Sequence, residues 1–233
     1  MKIDEFIAEL NKINIFPNEN QLNKLSKYYE LIVEYNKNMN LTGITDKEQV
    51  YLKHFYESLT LTKIIDLSKE ETLCDIGSGA GFPGIVIKIL FPNLKITLID
   101  SLNKRINFLN IVIKELDLKN CEAIHYRIEE YGKINREKFD IVTARAVANI
   151  NQLLEYSIPL LKVNKYFIAM KGKIDPIEDY KGALKKLSCN IKKIIEFKLP
   201  YENSDRSLIC FKKVSKTSKM FPRKFAEIKN KPL

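Results

Sequence analysis

Between Asp75 and Gly84 the chain reads Asp75-Ile76-Gly77-Ser78-Gly79-Ala80-Gly81-Phe82-Pro83-Gly84, at the point where an apolar run stops and a helical pattern starts. Glycines at such a junction let the backbone take positive φ and approach a ligand closely, free N–H groups open the helix, and Pro83 suits a first helical turn. This is a nucleotide-binding turn, and two ligand classes share it. Gly79-Ala80-Gly81-Phe82-Pro83-Gly84 satisfies the dinucleotide pattern G-x-G-x-x-G, whereas Gly77-x-Gly79-x-Gly81 with Asp75 ahead fits the S-adenosylmethionine turn better. Asp100 lies 19 residues beyond Gly81, close to the ~20 at which an acid holds the ribose hydroxyls of either ligand. Asp75 could meet the cationic amino-acid end of a methyl donor, which favours that reading.

Such a turn needs a sheet beneath it. After residue 70 short β-branched runs alternate with helical stretches, the signature of βαβ units and a parallel sheet. Strands are expected at Thr72–Ile76, Lys95–Ile99, Cys121–His125, Phe139–Ala144, Tyr166–Met170, Ile191–Phe197 and Ser207–Lys212, with helices near 83–91, 102–117, 150–161 and 176–187. Only Lys198–Arg206 separates the last two strands, too little for a crossover helix, so they should form an antiparallel hairpin. Seven strands ending in a hairpin again favour the methyl donor over a nicotinamide. Residues 1–65 read as helices only: Asn18 and Gln21 fit a capping box, Leu22, Leu25, Tyr29, Ile32 and Val33 share a helical face, and a second helix starts at Asp46. The expected organisation is a helical cap (1–65), a doubly wound α/β domain (66–213) and a basic C-terminal tail (214–233).

Composition removes several alternatives. The chain has 233 residues, 45% of them hydrophobic, enough for a core without staples. Neither a membrane-length apolar run nor a signal-peptide pattern is present, so a cytoplasmic protein is expected. No coiled-coil heptads are seen, and a monomer is expected. Cys74, Cys121, Cys189 and Cys210 lie far apart and read as reduced thiols on strands; with only His54 and His125 besides, no metal site is expected. His54, helically spaced from apolar neighbours, reads as packing of the cap. The net charge of +10 is concentrated in residues 211–233, which hold eight basic groups and one acid. Such a tail either binds phosphate backbones or is simply solvated.

Beyond the turn, Leu98–Leu109, Arg127-Ile128-Glu129-Glu130, Ala144-Arg145-Ala146-Val147-Ala148 and Ala169-Met170-Lys171-Gly172 resemble the RsmG (GidB) family, bacterial 16S ribosomal RNA guanine-N7 methyltransferases. Asn40-Leu41-Thr42, His54–Leu59 and Phe221-Pro222-Arg223-Lys224 extend the likeness over nearly the whole chain. Glu57 departs from it, since the family more often has Asp there, and so does Phe225-Ala226-Glu227. The resemblance implies a class I (Rossmann-like) S-adenosylmethionine-dependent methyltransferase fold, with the donor held at Gly77, Phe82, Ile128, Glu129 and Arg145, beside Asp75, Gly79, Gly81 and Asp100 of the turn reading. It also implies 16S ribosomal RNA as partner, free or within the small subunit or a precursor.

Absences narrow the acceptor. No cysteine ends strand four or five, as cytosine-C5 transfer would need, and Thr143-Ala144-Arg145-Ala146 stands where amino-group enzymes carry Asn/Asp-Pro-Pro-aromatic. Guanine N7 needs no base, because its in-plane lone pair carries no proton; positioning is enough. Arg145, Arg127 and Arg206 are the candidates at the reacting end. Arg145 must not face the guanine as it turns cationic, and is expected to grip a phosphate, guanine O6 or the donor carboxylate. Lys171, Arg206, Lys219, Arg223 and Lys224 are expected on RNA, with Phe221 and Phe225 able to stack on unpaired bases. Alternatives are another RNA, protein or small-molecule acceptor, or a non-catalytic RNA-binding assembly factor.

Overall fold

Among the described residues the β-branched runs pair into a seven-stranded sheet. Its strands are β1 (Thr72–Ile76), β2 (Lys95–Asp100), β3 (Cys121–His125), β4 (Phe139–Arg145), β5 (Leu161–Lys171), β6 (Cys189–Lys198) and β7 (Asp205–Lys213), in the order β3-β2-β1-β4-β5-β7-β6. The first five are parallel; β7 runs antiparallel to both β5 and β6. The expected hairpin is present, but its second strand lies inside the sheet and its first on the edge. Strand order reverses between β1 and β4, which opens a crevice at their carboxyl ends.

The computed structural model describes residues 1–174 and 176–233. Its helices are α1 (Ile3–Asn11), α2 (Glu19–Met39), α3 (Lys47–Val50), α4 (Glu57–Leu59), α5 (Gly84–Leu90), α6 (Asn103–Glu115), α7 (Ile128–Ile134), α8 (Ile150–Ser157), α9 (Lys181–Leu187) and α10 (Phe225–Asn230). Between α3 and α4, Tyr51–Tyr56 winds as a π-helical turn. Asn18 and Gln21 cap α2 reciprocally, as the capping box requires. None of these helices is long and apolar enough to cross a membrane.

Each face of the sheet is covered. On one side the cap packs with α5 and α6: Phe6, Leu25, Tyr28, Leu31 and Phe55 are buried against Ile85, Ile89, Phe108 and Leu109. The buried face of α2 therefore runs through Tyr28; Tyr29, expected there, is half-buried and its hydroxyl donates to the carbonyl of Thr45 at 3.2 Å. On the other side α8, α9 and the C-terminal segment enclose Leu154, Phe167, Tyr180 and Phe211. All four cysteines are unpaired and sit on strands, as expected.

The tail is not a free, solvated extension but packs on the sheet. Phe221 and Ile228 are buried in the second core, and the Arg136 guanidinium donates to the carbonyls of Thr217, Ser218 and Phe221 at 2.6, 3.2 and 2.5 Å. Lys213 is fully buried, donating to the carbonyls of Ile158 and Leu161 and paired with Glu137 at 3.3 Å. A lysine with three such partners has no ammonium left for phosphate.

Candidate active site

Most amides of the glycine turn are already bonded within the protein. The amides of Gly77 and Ser78 donate to the carbonyl of Ile99 at 2.8 and 3.0 Å, and those of Gly81 and Phe82 to the carbonyl of Ser78 at 2.7 and 3.2 Å. Gly79 N donates to Asp100 Oδ2 at 2.9 Å, and Gly84 N to Asp75 Oδ2 at 3.0 Å. The free helix-opening N–H groups inferred from sequence are thus largely used, and a carboxylate already faces the start of α5. At Gly81, φ is +102° and an added Cβ would come within 2.7 Å of Tyr28 Oη, so only glycine fits beneath the cap. The same hydroxyl donates to the carbonyl of Ala80 at 2.5 Å, which ties the turn to α2.

Asp75 lies beneath the turn and is fully buried, with Oδ1 lacking a hydrogen-bond partner. Burial pushes its carboxyl up to about 7, against the lowering pull of the Gly84 amide and of Arg145. It organises the turn from below and does not line the open crevice.

That crevice, about 440 Å³, lies outside the carboxyl ends of β1 to β4 and has the size of a small-molecule site. Gly77, Asp100, Ser101, Arg105, Arg127, Ile128, Glu129, Ala146, Val147 and Ala148 form one part of its wall. Asp100 is 2% exposed and bonded to Gly79 N, Leu102 N and Arg105, yet a carboxylate has about four acceptor positions, so capacity remains. Glu129 is buried in the first turn of α7 rather than solvated on a loop, while Glu130 is exposed. Ala146 takes φ +56°, a left-handed turn that sends Arg145 towards the cap and Val147 against Gly77. Gln152 and Tyr156 of α8 and Phe225 and Lys229 of α10 complete the wall.

The three candidate arginines do not converge. Arg145 points away from the crevice: Nη1 donates to the carbonyl of Lys53 at 2.8 Å, Nη2 lies 3.2 Å from His54 Nδ1, and Glu57 Oε1 is 3.9 Å away. Arg206 Nε donates to the other oxygen of Glu57 at 2.8 Å, so one buried carboxylate joins the ends of β4 and β7 to the cap. Arg127 stands across the crevice over the ring of Phe225, at 4.9 Å, with Glu129 at 3.8 Å. Phe82 packs under the cap, its ring centroid 4.3 Å from that of His54 and beneath the Arg145 guanidinium. Gly77, Asp100, Ile128 and Glu129 are therefore brought together, whereas Asp75, Gly79, Gly81, Phe82 and Arg145 form the layer behind them.

Two residues expected on RNA have other partners. Arg223 makes a bidentate pair with fully buried Glu155, Nε to Oε1 at 2.9 Å and Nη2 to Oε2 at 2.7 Å, and also reaches the Lys231 carbonyl. Arg206 is held by Glu57 as described. Lys171 Nζ lies 3.5 Å from the carbonyl of Ala148, at the crevice rim. Lys219 and Lys224 are exposed. Ser101, Arg105, Ala146–Ala148, Gln152, Tyr156, Phe225 and Lys229 join the wall without being among the site residues expected from the sequence. Gln152 carries a helical signal only, and nothing in the tail sequence indicates that it folds back.

A family model described as rRNA small subunit methyltransferase G matches residues 21–209. Over 228 residues the chain is 48% identical to Ribosomal RNA small subunit methyltransferase G of Lysinibacillus sphaericus, covering 96% of each. Its identity to the protein of that name from Exiguobacterium sibiricum is 46%, with 100% of both covered. Among solved structures, a SAM dependent methyltransferase from Aquifex aeolicus shares the fold, with a TM-score of 0.52 at 18% identity over 71% of this chain and 93% of that one.

Proposed function

Because the chain belongs to the rRNA small subunit methyltransferase G (GidB) family, we propose that it transfers a methyl group from S-adenosylmethionine to N7 of a guanine in 16S ribosomal RNA. The observation that carries the donor assignment is the spent turn. A dinucleotide would need free amides and an uncapped helix start for its pyrophosphate, but here those amides are bonded within the protein and Asp75 holds Gly84 N. A donor without phosphates loses nothing by this.

S-adenosylmethionine supplies an electrophilic methyl group on a sulfonium. Asp100 has about one acceptor position left for a ribose hydroxyl, and Ile128 with the Glu129 backbone offers a flat apolar edge and an amide for a purine. Gly77 lets the chain pass close to the sulfur-bearing arm. The acceptor nitrogen has a lone pair and no proton, so the protein's part is alignment and exclusion of water rather than proton transfer. Arg145, turned onto His54 and Glu57, keeps its charge away from a guanine that becomes cationic. Lys219 and Lys224 are exposed tail residues available for phosphate contacts.

The test is a map of N7-methylguanine in 16S ribosomal RNA from cells with and without this chain, read by chemical cleavage at the modified base. One modified guanine should vanish on deletion and return with the wild-type protein. An unchanged map would exclude N7 of 16S guanine as the acceptor.

A further inference from the structure

We propose that the C-terminal segment is part of the donor site, with Phe225 forming the outer wall against which the purine of S-adenosylmethionine rests. The inference deepens the donor assignment above and rests on it. Phe225 and Lys229 line the same crevice as Asp100, Ile128 and Glu129. On the strand side this crevice has a carboxylate and an apolar edge suited to a nucleoside; on the opposite side its large apolar group is a half-exposed phenyl ring, 42% accessible. A partly accessible aromatic ring beside a ribose-and-purine-sized space is a stacking surface, shared with the Arg127 guanidinium that lies over it, and every purine has a π-face to offer it.

The ring is held where it is by a built anchor. Arg136 takes three carbonyls of the segment before it, Pro222 packs 3.3 Å from where a Cβ on Gly132 would stand, and Ile228 is fully buried one helical turn beyond. Between these, Arg223 locks onto Glu155 of α8, the helix whose Gln152 and Tyr156 line the crevice. Above the ring, the Arg127 guanidinium at 4.9 Å ties α10 to the start of α7, where the purine edge lies. Arg127 and Lys229 also bring positive charge to the rim, where an RNA strand would enter. Phe225 would thus contact the donor itself, while Arg223 and Glu155 act as positioning residues through it.

The experiment compares Phe225→Ala, Phe225→Tyr, Gly77→Ala and wild type by calorimetric titration with S-adenosylhomocysteine, and by binding of 16S ribosomal RNA at two salt concentrations. Phe225 is exposed enough that its truncation should leave the melting temperature unchanged. The proposal expects Phe225→Ala to weaken S-adenosylhomocysteine binding roughly tenfold, Phe225→Tyr to restore it, and the salt slope for RNA to stay as in wild type. Unchanged affinity in Phe225→Ala with weakened affinity in Gly77→Ala would overturn the purine wall and leave the donor site standing. Unchanged affinity in both would overturn the donor site, and the wall with it. A loss of RNA affinity alone in Phe225→Ala would make the ring an RNA contact and also reject the proposal.

Discussion

Nη2 of Arg145 lies 3.2 Å from Nδ1 of His54, across the seam between the end of β4 and the π-helical turn of the cap. A guanidinium only donates, so Nδ1 accepts and the ring proton belongs on Nε2, which faces Thr42 Oγ1 at 2.9 Å. His54 is therefore a neutral spacer: burial, and then the charge of Arg145, push its pKa down to about 3. Packing of the cap, the reading taken from the sequence, is what this histidine does.

His54 and Asp75 should oppose one another in pH dependence. As pH falls below the usual histidine value of 6.5, the unfolded chain binds a proton that folded His54 refuses until about 3, so stability is lost on acidification. Folded Asp75 keeps its proton up to about 7 while the unfolded chain releases it near 3.8, so stability is lost as pH rises through that window. Between about 4 and 6.5 the two proton counts offset. Urea midpoints across this range should fall with rising pH in His54→Gln and fall with acidification in Asp75→Asn, each with the slope of one extra proton. Parallel profiles for all three proteins would refute the assignment.

Glu57 serves two guanidinium groups with one carboxylate, and its side chain is 12% exposed. Replacing it with Gln leaves two part-buried cations facing each other and should cost about 3 kcal/mol by denaturant unfolding. Glu57→Asp keeps the charge but is one methylene shorter, and should fall between wild type and Gln. Equal stability of Asp and Gln variants would mean that charge is irrelevant there.

The three basic tail residues first grouped together should separate. Arg223→Gln leaves Glu155 buried without its partner, and hydrogen exchange should accelerate across residues 221–230. Lys219→Ala and Lys224→Ala should leave exchange unchanged and lower the salt slope of RNA binding by up to about one unit each. Faster exchange in the lysine variants would contradict their exposure.

Gly77 sits at φ +67°, and an added Cβ would stand 2.6 Å from Val147 Cγ2. Gly77→Ala should lose about 1–2 kcal/mol of stability. Val147→Ala in the same chain should return part of that loss, by thermal unfolding of the double-mutant cycle. Strict additivity would show that the contact is not the source of strain.

The strands and the turn were legible because each carries a local signal: β-branched runs for β1 to β4, glycine spacing for residues 77–81, and an acid at the end of β2. What escaped was long-range. Tyr28 and Tyr29 are adjacent aromatics, and periodicity alone chose the one that faces outward from the cap core. Arg145 and Arg206 stand out in the sequence, but the carboxylate that joins them is 149 residues from Arg206 and lies on a different layer. The tail misled because composition reports charge, not partners: Arg223 and Lys213 look like neighbouring lysines and arginines in sequence, yet Lys213 is buried and Arg223 is half-buried on Glu155. Glu155, the acid that fixes Arg223, looks like an ordinary polar residue on an amphipathic helix.

The interior position of β7 has a consequence for synthesis. Because β6 bonds to the sheet only through β7, residues 189–198 have no strand to join until residues 205–213 have left the ribosome. Until then β5 is an open edge, with its hydrogen-bonding groups available to other chains. A message truncated between the two strands would therefore yield a nascent chain with the glycine turn complete, yet with an unpaired β5 edge and no anchored wall at the crevice. Such products should aggregate or be degraded rather than persist as partly active enzyme.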